Sequence, residues 1–182
     1  IKGISGALNT GIEFSSNKFL SRIDSGDICL DKNRYRKILD LFEKRIDIDL
    51  ICSGLINNKN KKIRPKLIYI GKVLSPFSRV PHPTWIFRRS SMIEKYKYNC
   101  NRFEDYAFLI DNQMKVLTFN QFDLLYDTSD KLSRLTEFKT AFLKSIFFIK
   151  HSNKSLKYIY VGFLYFFLRT LRLILSSKKI IF

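Results

Sequence analysis

The chain has 182 residues, a hydrophobic content of 46% and a formal net charge of +17. That length suits one domain with a sizeable core rather than two, and that apolar content excludes a disordered polyelectrolyte. The excess of Lys and Arg points to an anionic partner: nucleic acid, a membrane surface or a phosphorylated substrate.

In chain order, Lys18 to Asp24 has a strand-like apolar centre and runs into Ser25-Gly26-Asp27, which reads as a turn. Tyr35, Ile38, Leu39, Phe42 and Ile46 recur at helical spacing behind Asp31, which suits an N-cap, so the pattern predicts a helix over 31–46. Asp47 to Leu55 reads as a short strand, and Asn57 to Arg64 as a polar, Lys-rich loop or hairpin. Pro76, Pro81 and Pro83 exclude a long helix there. Thr84 to Phe87 then reads as a strand, Glu104 to Gln113 as a short helix and Val116 to Tyr126 as another strand. Strands alternating with helices predict an α/β domain with a mostly parallel central sheet and flanking helices.

After Asp130 the pattern becomes purely helical. Leu132, Leu135, Phe138, Phe142 and Ile146 form one stripe, and a second helix is expected from about Lys154 to Leu175. The expected division is therefore a domain over 1–130 and a basic, aromatic helical tail over 131–182. Cys29, Cys52 and Cys100 match no zinc or disulfide spacing; they read as buried small hydrophobes in a reducing cytoplasm.

Chemistry is expected beyond the carboxyl ends of strands. Asp24 and Asp27 fall at such an end, where two carboxylates across a Gly-containing turn can share a hard cation; Asp, Ser and Gly are also ordinary turn formers. Glu104 and Asp105 open a helix, which suits either capping or general-base work. Pro81-His82-Pro83-Thr84 is a rigid turn that presents His82, a structural histidine or a ligand-facing one. Trp85, next to it, reads as a core residue before a sugar-stacking one.

Taken in order, Gly3-Ile-Ser-Gly-Ala-Leu-Asn-Thr-Gly-Ile12, Arg22-Ile-Asp-Ser-Gly-Asp27, Pro81-His-Pro-Thr84 and Glu104-Asp105-Tyr106 resemble a family-2 glycosyltransferase over about residues 1–130. The resemblance implies a GT-A fold and sugar transfer, with inversion, from a nucleotide-sugar donor to a hydroxyl of a glycan or lipid-linked acceptor, in cell-surface polysaccharide synthesis. It implies Asp24 and Asp27 as holders of Mg2+ or Mn2+, and Asp105 as catalytic base with Glu104 beside it. Asn9, Gly11, Arg22, Asp24, His82 and Thr84 are implied on the donor side. Gly26 stands where many relatives carry a further Asp. Relatives also begin with a strand and an acidic residue that grip the nucleotide base, and this chain opens on Ile1, after them. A fragment inactive on its own is therefore expected.

The tail is basic. Lys131, Arg134, Lys139, Lys144, Lys150, Lys154, Lys157, Arg169, Arg172, Lys178 and Lys179 face a single acid, Glu137. The apolar run Tyr158 to Leu168 is too short for a span and is followed by Arg169 and Arg172. Lys154, Lys157, Val161, Tyr165, Arg169 and Arg172 share one helical face, with an aromatic–aliphatic surface around the rest. Such a helix suits an anionic membrane surface, or packing on the domain with its lysines in water. The location expected is cytoplasmic, peripheral to the inner face of the membrane. A nucleic-acid-binding module is the alternative from charge alone, but no nucleic-acid motif accompanies the charge. A folded, non-catalytic remnant is the other.

Overall fold

A computed structural model describes residues 3–70, 73–92, 103–127, 134–151 and 156–178. Helix α1 (Gly3–Phe14) leads into strand β1 (Phe19–Ser21), β2 (Ile28–Cys29), α2 (Arg34–Lys44), β3 (Leu50–Asn57) and β4 (Lys62–Ile63). Strands β5 (Tyr69–Ile70) and β6 (Val73–Leu74) follow, then a 3-10 turn at His82–Thr84, β7 (Ile86–Arg88), α3 (Glu104–Asp111) and β8 (Val116–Tyr126). Helices α4 (Arg134–His151) and α5 (Leu156–Lys178) end the described chain. The chain divides into two compact units, one of Ile1–Leu67 with Arg79–Thr128, the other of Ile68–Ser78 with Ser129–Phe182. Cys100, Leu132 and Lys154 lie outside the described residues.

In the first unit the strand order is β1-β7-β3-β8-β2, with β4 paired to β3. Strand β3 is buried along almost its whole length, as a central strand must be, and Leu50, Ile51, Cys52 and Leu55 supply its apolar surface. It runs parallel to β8, from Leu50 opposite Val116 to Asn57 opposite Tyr126. The expected mostly parallel sheet is corrected here. The pairings β1–β7, β3–β7, β3–β4 and β2–β8 are all antiparallel, so the sheet is mixed. Alternation of strands and helices reveals a crossover such as the one carrying α3, but not that a short strand like β7 lies reversed against β3.

The core joins Ile38 and Phe42 of α2 to Ile48, Ile51 and Ile86, with Phe19, Leu41, Leu117 and Phe119 packed around them. Each such side chain contributes roughly 1.5–3 kcal/mol on burial. Arg88 closes this layer: its guanidinium lies 4.8 Å from the Phe42 ring and 5.2 Å from the Phe19 ring. It donates to Phe42 O at 2.6 Å and Ile48 O at 2.8 Å, satisfying a carbonyl that the end of α2 leaves open. The helix itself is shorter than 31–46. Asp31 Oδ1 accepts from Asn33 N at 2.9 Å, an Asx turn ahead of the helix, and α2 begins only at Arg34. Ile46 consequently falls beyond the helix and is exposed, and Tyr35 faces outward. Asn57 to Lys62 forms the hairpin to β4, with Asn60 at φ 57°. Trp85 is a core residue, packed with Phe108 of α3. Cys52 is buried, and burial pushes its thiol up to about 12; Cys29 is only half-buried, at the short edge strand β2.

In the second unit α4 and α5 form a hairpin. Gly162 permits the close approach: a Cβ there would stand 2.6 Å from Ile149 Cγ1 and 3.3 Å from Ser145 O. Phe166 receives Phe138 and Phe142 edge-on at 5.2 and 5.4 Å, and Phe148 meets Tyr158 at 5.9 Å. The β5–β6 hairpin belongs to this unit, where Phe77 meets Tyr165 at 5.1 Å.

Candidate functional site

Helix α1 carries Ile4, Leu8 and Gly11 at steps of three and four, so they share a face, and Ser15 follows just past the helix end. That face lines a cavity of about 370 Å3, the size of a small-ligand site. The opposite wall is the end of β1, Leu20 to Asp24, and His82, Trp85 and Phe87 complete it. Gly11, Arg22, Asp24 and His82, drawn from three separate parts of the sequence, therefore meet around one space.

Arg22 organises the polar side. Its Nε and Nη2 donate to Asp24 Oδ1 and Oδ2, both at 2.6 Å, a bidentate pair. Its Nη1 lies 2.8 Å from His82 Nδ1. A guanidinium has no lone pair to offer, so Nδ1 must be the acceptor and the ring proton sits on Nε2. Burial, and secondarily the Arg22 charge, pushes the imidazole down to about 3, so it stays neutral.

The His82 turn is held from beneath. Thr84 Oγ1 accepts from Ser53 N at 3.1 Å and lies 2.8 Å from Pro81 O and 3.0 Å from Ser53 O, so its proton and one lone pair are used inside the protein. Thr84 O accepts from Arg34 Nη2 at 2.7 Å. Arg34 also faces Asp123, Nε to Oδ2 at 3.1 Å with both side chains 1% exposed, and Ser53 Oγ donates to Asp123 Oδ1. The Nε–Oδ2 approach is not aligned as a hydrogen bond; it is a charge contact in a dry interior. Burial raises the Asp123 carboxyl against the pull of Ser53 and Arg34. Sequence reasoning missed Arg34, Ser53 and Asp123. The available signal was a carboxylate beside the apolar pair Leu124-Leu125, where a buried charge requires a partner.

Asp27 closes the turn after Asp24. Its N donates to Asp24 O at 3.1 Å, its Oδ2 accepts from Asp24 N at 3.4 Å and its Oδ1 from Asp127 N at 3.3 Å. Gly26 makes the turn possible, at φ +91° with the Asp127 side chain 3.4 Å from where a Cβ would stand. Burial, the largest influence, raises the Asp27 carboxyl.

Both Asp24 oxygens accept from Arg22 and both Asp27 oxygens accept from backbone N–H groups. Among the described residues, no three His, Cys, Asp or Glu side chains group as a cation site.

The other expected residues stand off the cavity wall. Asn9 is buried in α1 and does not line it, and neither do Thr84 and Asp27. Glu104 and Asp105 form the first turn of α3, where Asp105 Oδ1 accepts from Tyr106 N at 2.7 Å; neither lines this cavity.

No family model and no curated protein matches this chain. Among the solved structures that resemble it are two of S. aureus TarS. One is the crystal structure of S. aureus TarS 1-349, with a TM-score of 0.57 and 13% identity over 93% of this chain and 52% of that one. The other is the crystal structure of S. aureus TarS, with a TM-score of 0.54 and 12% identity over 82% of this chain and 28% of that one. The chain spans about half the length of the first and little over a quarter of the second. At such identity the likeness is one of fold, and the fold is a mixed α/β one.

Proposed function

We propose that this chain takes part in transfer of a sugar from a nucleotide-sugar donor to a hydroxyl acceptor, with inversion, in cell-surface polysaccharide or lipid-linked glycan synthesis. The observation that carries the reading is the meeting of Gly11, Arg22, Asp24 and His82 around one cavity of about 370 Å3. Three of the four motif segments that resemble a family-2 glycosyltransferase contribute to that wall, on a glycosyltransferase-like fold.

In this reading the cavity takes the donor. Arg22 supplies the cationic fork for the diphosphate, a group that guanidinium recognises bidentately. Asp24 orients that fork and offers acceptor oxygens to donor hydroxyls. Neutral His82 holds Arg22 Nη1 through Nδ1 and keeps its Nε2–H free of charge. The α1 face and Trp85 exclude water on the apolar side. Thr84 acts one step away, by fixing the turn that carries His82. Asp105 takes the proton from the acceptor hydroxyl while that oxygen attacks the anomeric carbon opposite the leaving nucleoside diphosphate; the carbon–oxygen bond to the leaving group breaks as the new one forms. Inversion follows from attack on the opposite face. Asp24 and Asp27, adjacent across the turn, would hold the Mg2+ or Mn2+ that the resemblance implies, a hard cation that would neutralise charge on the departing diphosphate, since each carboxylate oxygen keeps a second lone pair beside the N–H it accepts from.

Calorimetry with a panel of uridine, guanosine, cytidine and thymidine diphosphate sugars tests the donor site. One class is expected to bind, and Arg22→Ala to weaken it. If no donor binds, or the Arg22→Ala affinity equals that of the parent, the cavity is not a donor site. For the base, Asp105→Asn is expected to abolish transfer with the circular dichroism spectrum unchanged; undiminished turnover would remove Asp105 from that role.

A further inference from the structure

Helix α5 presents an apolar stripe outward. Tyr160, Phe163, Phe167, Leu171 and Ile174 follow one another at steps of three or four and are 67%, 64%, 62%, 39% and 52% exposed. Its opposite side is already occupied, since Gly162 lies against Ile149 and Ser145 of α4. The stripe does not stop at one helix. Phe138 and Phe142 of α4, both exposed in part, lie edge-on to Phe166 and widen the surface. A contiguous aromatic face of this kind is uncommon on a water-soluble surface and marks a contact.

Charge says what covers it. From residue 131 onward there are eleven basic residues and one acid, Glu137. Exposed Lys157 borders the stripe at helical spacing, exposed Arg172 lies about 100° round the helix from Leu171, and Lys139 and Lys150 are exposed on α4. A second copy of the hairpin would bring one strongly basic surface against another. We propose that the α4–α5 hairpin docks on an anionic bilayer, with the α5 stripe lying in the plane of the headgroup–acyl boundary.

A span fits less well. Leu156–Ser176 is long and apolar enough to cross a membrane by length and composition, with a mean hydropathy of 1.5. The uncharged stretch between Lys157 and Arg169, however, rises only about 16 Å at 1.5 Å per residue, against about 30 Å of hydrocarbon. Crossing would carry Arg169 and Arg172 into the bilayer interior, whereas lying flat leaves Lys157 and Arg172 at headgroup depth.

The test is co-sedimentation of the full chain with phosphatidylcholine vesicles, with and without phosphatidylglycerol. Sedimentation is expected with the anionic vesicles only, weakening as salt is raised. Phe163→Ser with Phe167→Ser is expected to lower the partition coefficient about tenfold or more, and Lys157→Gln with Arg172→Gln several-fold. These positions are exposed, so their substitution leaves the hairpin packing in place, and the two pairs test the apolar and electrostatic contributions separately. The proposal is overturned by failure to sediment with anionic vesicles, or by equal partition of parent and both variants. Resistance to alkaline extraction would overturn it in favour of a span. A dimer dissolved by Phe163→Ser with Phe167→Ser would overturn it in favour of a second copy. Vesicle binding needs no donor, so it stands or falls apart from the sugar-transfer reading.

Discussion

Arg22 Nη1 sits 2.8 Å from His82 Nδ1 across a sequence gap of 60, while the other edge of the same guanidinium grips Asp24 at 2.6 Å. One side chain thus ties the end of β1 to the Pro81–Thr84 turn. Three of its N–H donors are spent on positioning, which leaves two for a ligand. Arg22→Lys keeps the charge but cannot make both contacts. It is expected to weaken nucleotide-sugar affinity roughly tenfold to hundredfold, the scale of a lost bidentate charge-assisted contact. Titration calorimetry on Arg22→Lys, beside Arg22→Ala, checks this; equal affinity in Arg22→Lys and the parent would show that the fork geometry is unused.

His82 sets a pH dependence. Its imidazole titrates near 6.5 when unfolded and is pushed down to about 3 in the fold, chiefly by burial. Between those values the unfolded chain binds a proton that the folded chain does not. Stability from this group is therefore intact above about pH 6.5 and is lost as pH falls toward 3, at roughly 1.4 kcal/mol per unit inside the window. Urea midpoints at pH 7.0 and 5.5 should differ in the parent and differ less in His82→Asn. An identical slope in the two proteins would place the acid sensitivity elsewhere.

Beneath that turn, Arg34 and Asp123 face each other at 3.1 Å with almost no exposure. Removing one partner leaves an uncompensated buried charge, so Asp123→Ala is expected to cost about 3–5 kcal/mol. The paired substitution Arg34→Met with Asp123→Leu should recover most of that loss, since an apolar pair of similar size carries no desolvation cost. Donor affinity in the recovered pair reports the positioning role separately: Thr84 O loses its Arg34 donor, so the His82 turn should loosen and affinity fall even with stability regained. Denaturation and calorimetry on the same two proteins separate the outcomes.

The sequence carried much of this architecture. Leu50 to Leu55 and Val116 to Tyr126 announce themselves as strands because long apolar or alternating runs are properties of the local chain, and β8 has the expected bounds. Arg22, Asp24 and His82 were legible as polar residues in turns, yet their mutual contact was not, because it depends on how β7 lies against β1. Strand direction is equally silent: nothing in Ile86 to Arg88 says that it pairs antiparallel with both β1 and β3. The two-residue β2 is too short to show any period. Helix α1 was hidden by Gly3, Gly6 and Gly11, whose low intrinsic helix propensity the tertiary setting overrides. The Asp31 reading failed for a subtler reason, since an Asx turn and an N-cap both use such a carboxylate, and here Asp31 stands two residues ahead of the cap position Asn33.

Gly54 offers the sharpest test of the sheet. It sits where the β3–β8 register shifts, and a Cβ there would stand 2.8 Å from Phe122 Cδ1 and 3.0 Å from Gln121 O. Moving the ring would disturb its contacts with the Arg64 guanidinium, 4.7 Å from its centre, and the Lys62 ammonium, 5.4 Å away. The carbonyl belongs to the paired strand and is less free still. Gly54→Ala is therefore expected to lower stability by about 1–3 kcal/mol, the usual scale of forced overpacking. Gly11→Ala supplies the contrast: nothing lies within 4 Å of its Cβ position and it is inside a helix, so a gain of roughly 0.5–1 kcal/mol is expected. Urea midpoints moving in opposite directions would confirm that Gly54 is required for close approach of β3 and β8 while Gly11 is not required by packing. A Gly54→Ala midpoint equal to the parent's would mean that the two strands can separate at this register shift without cost.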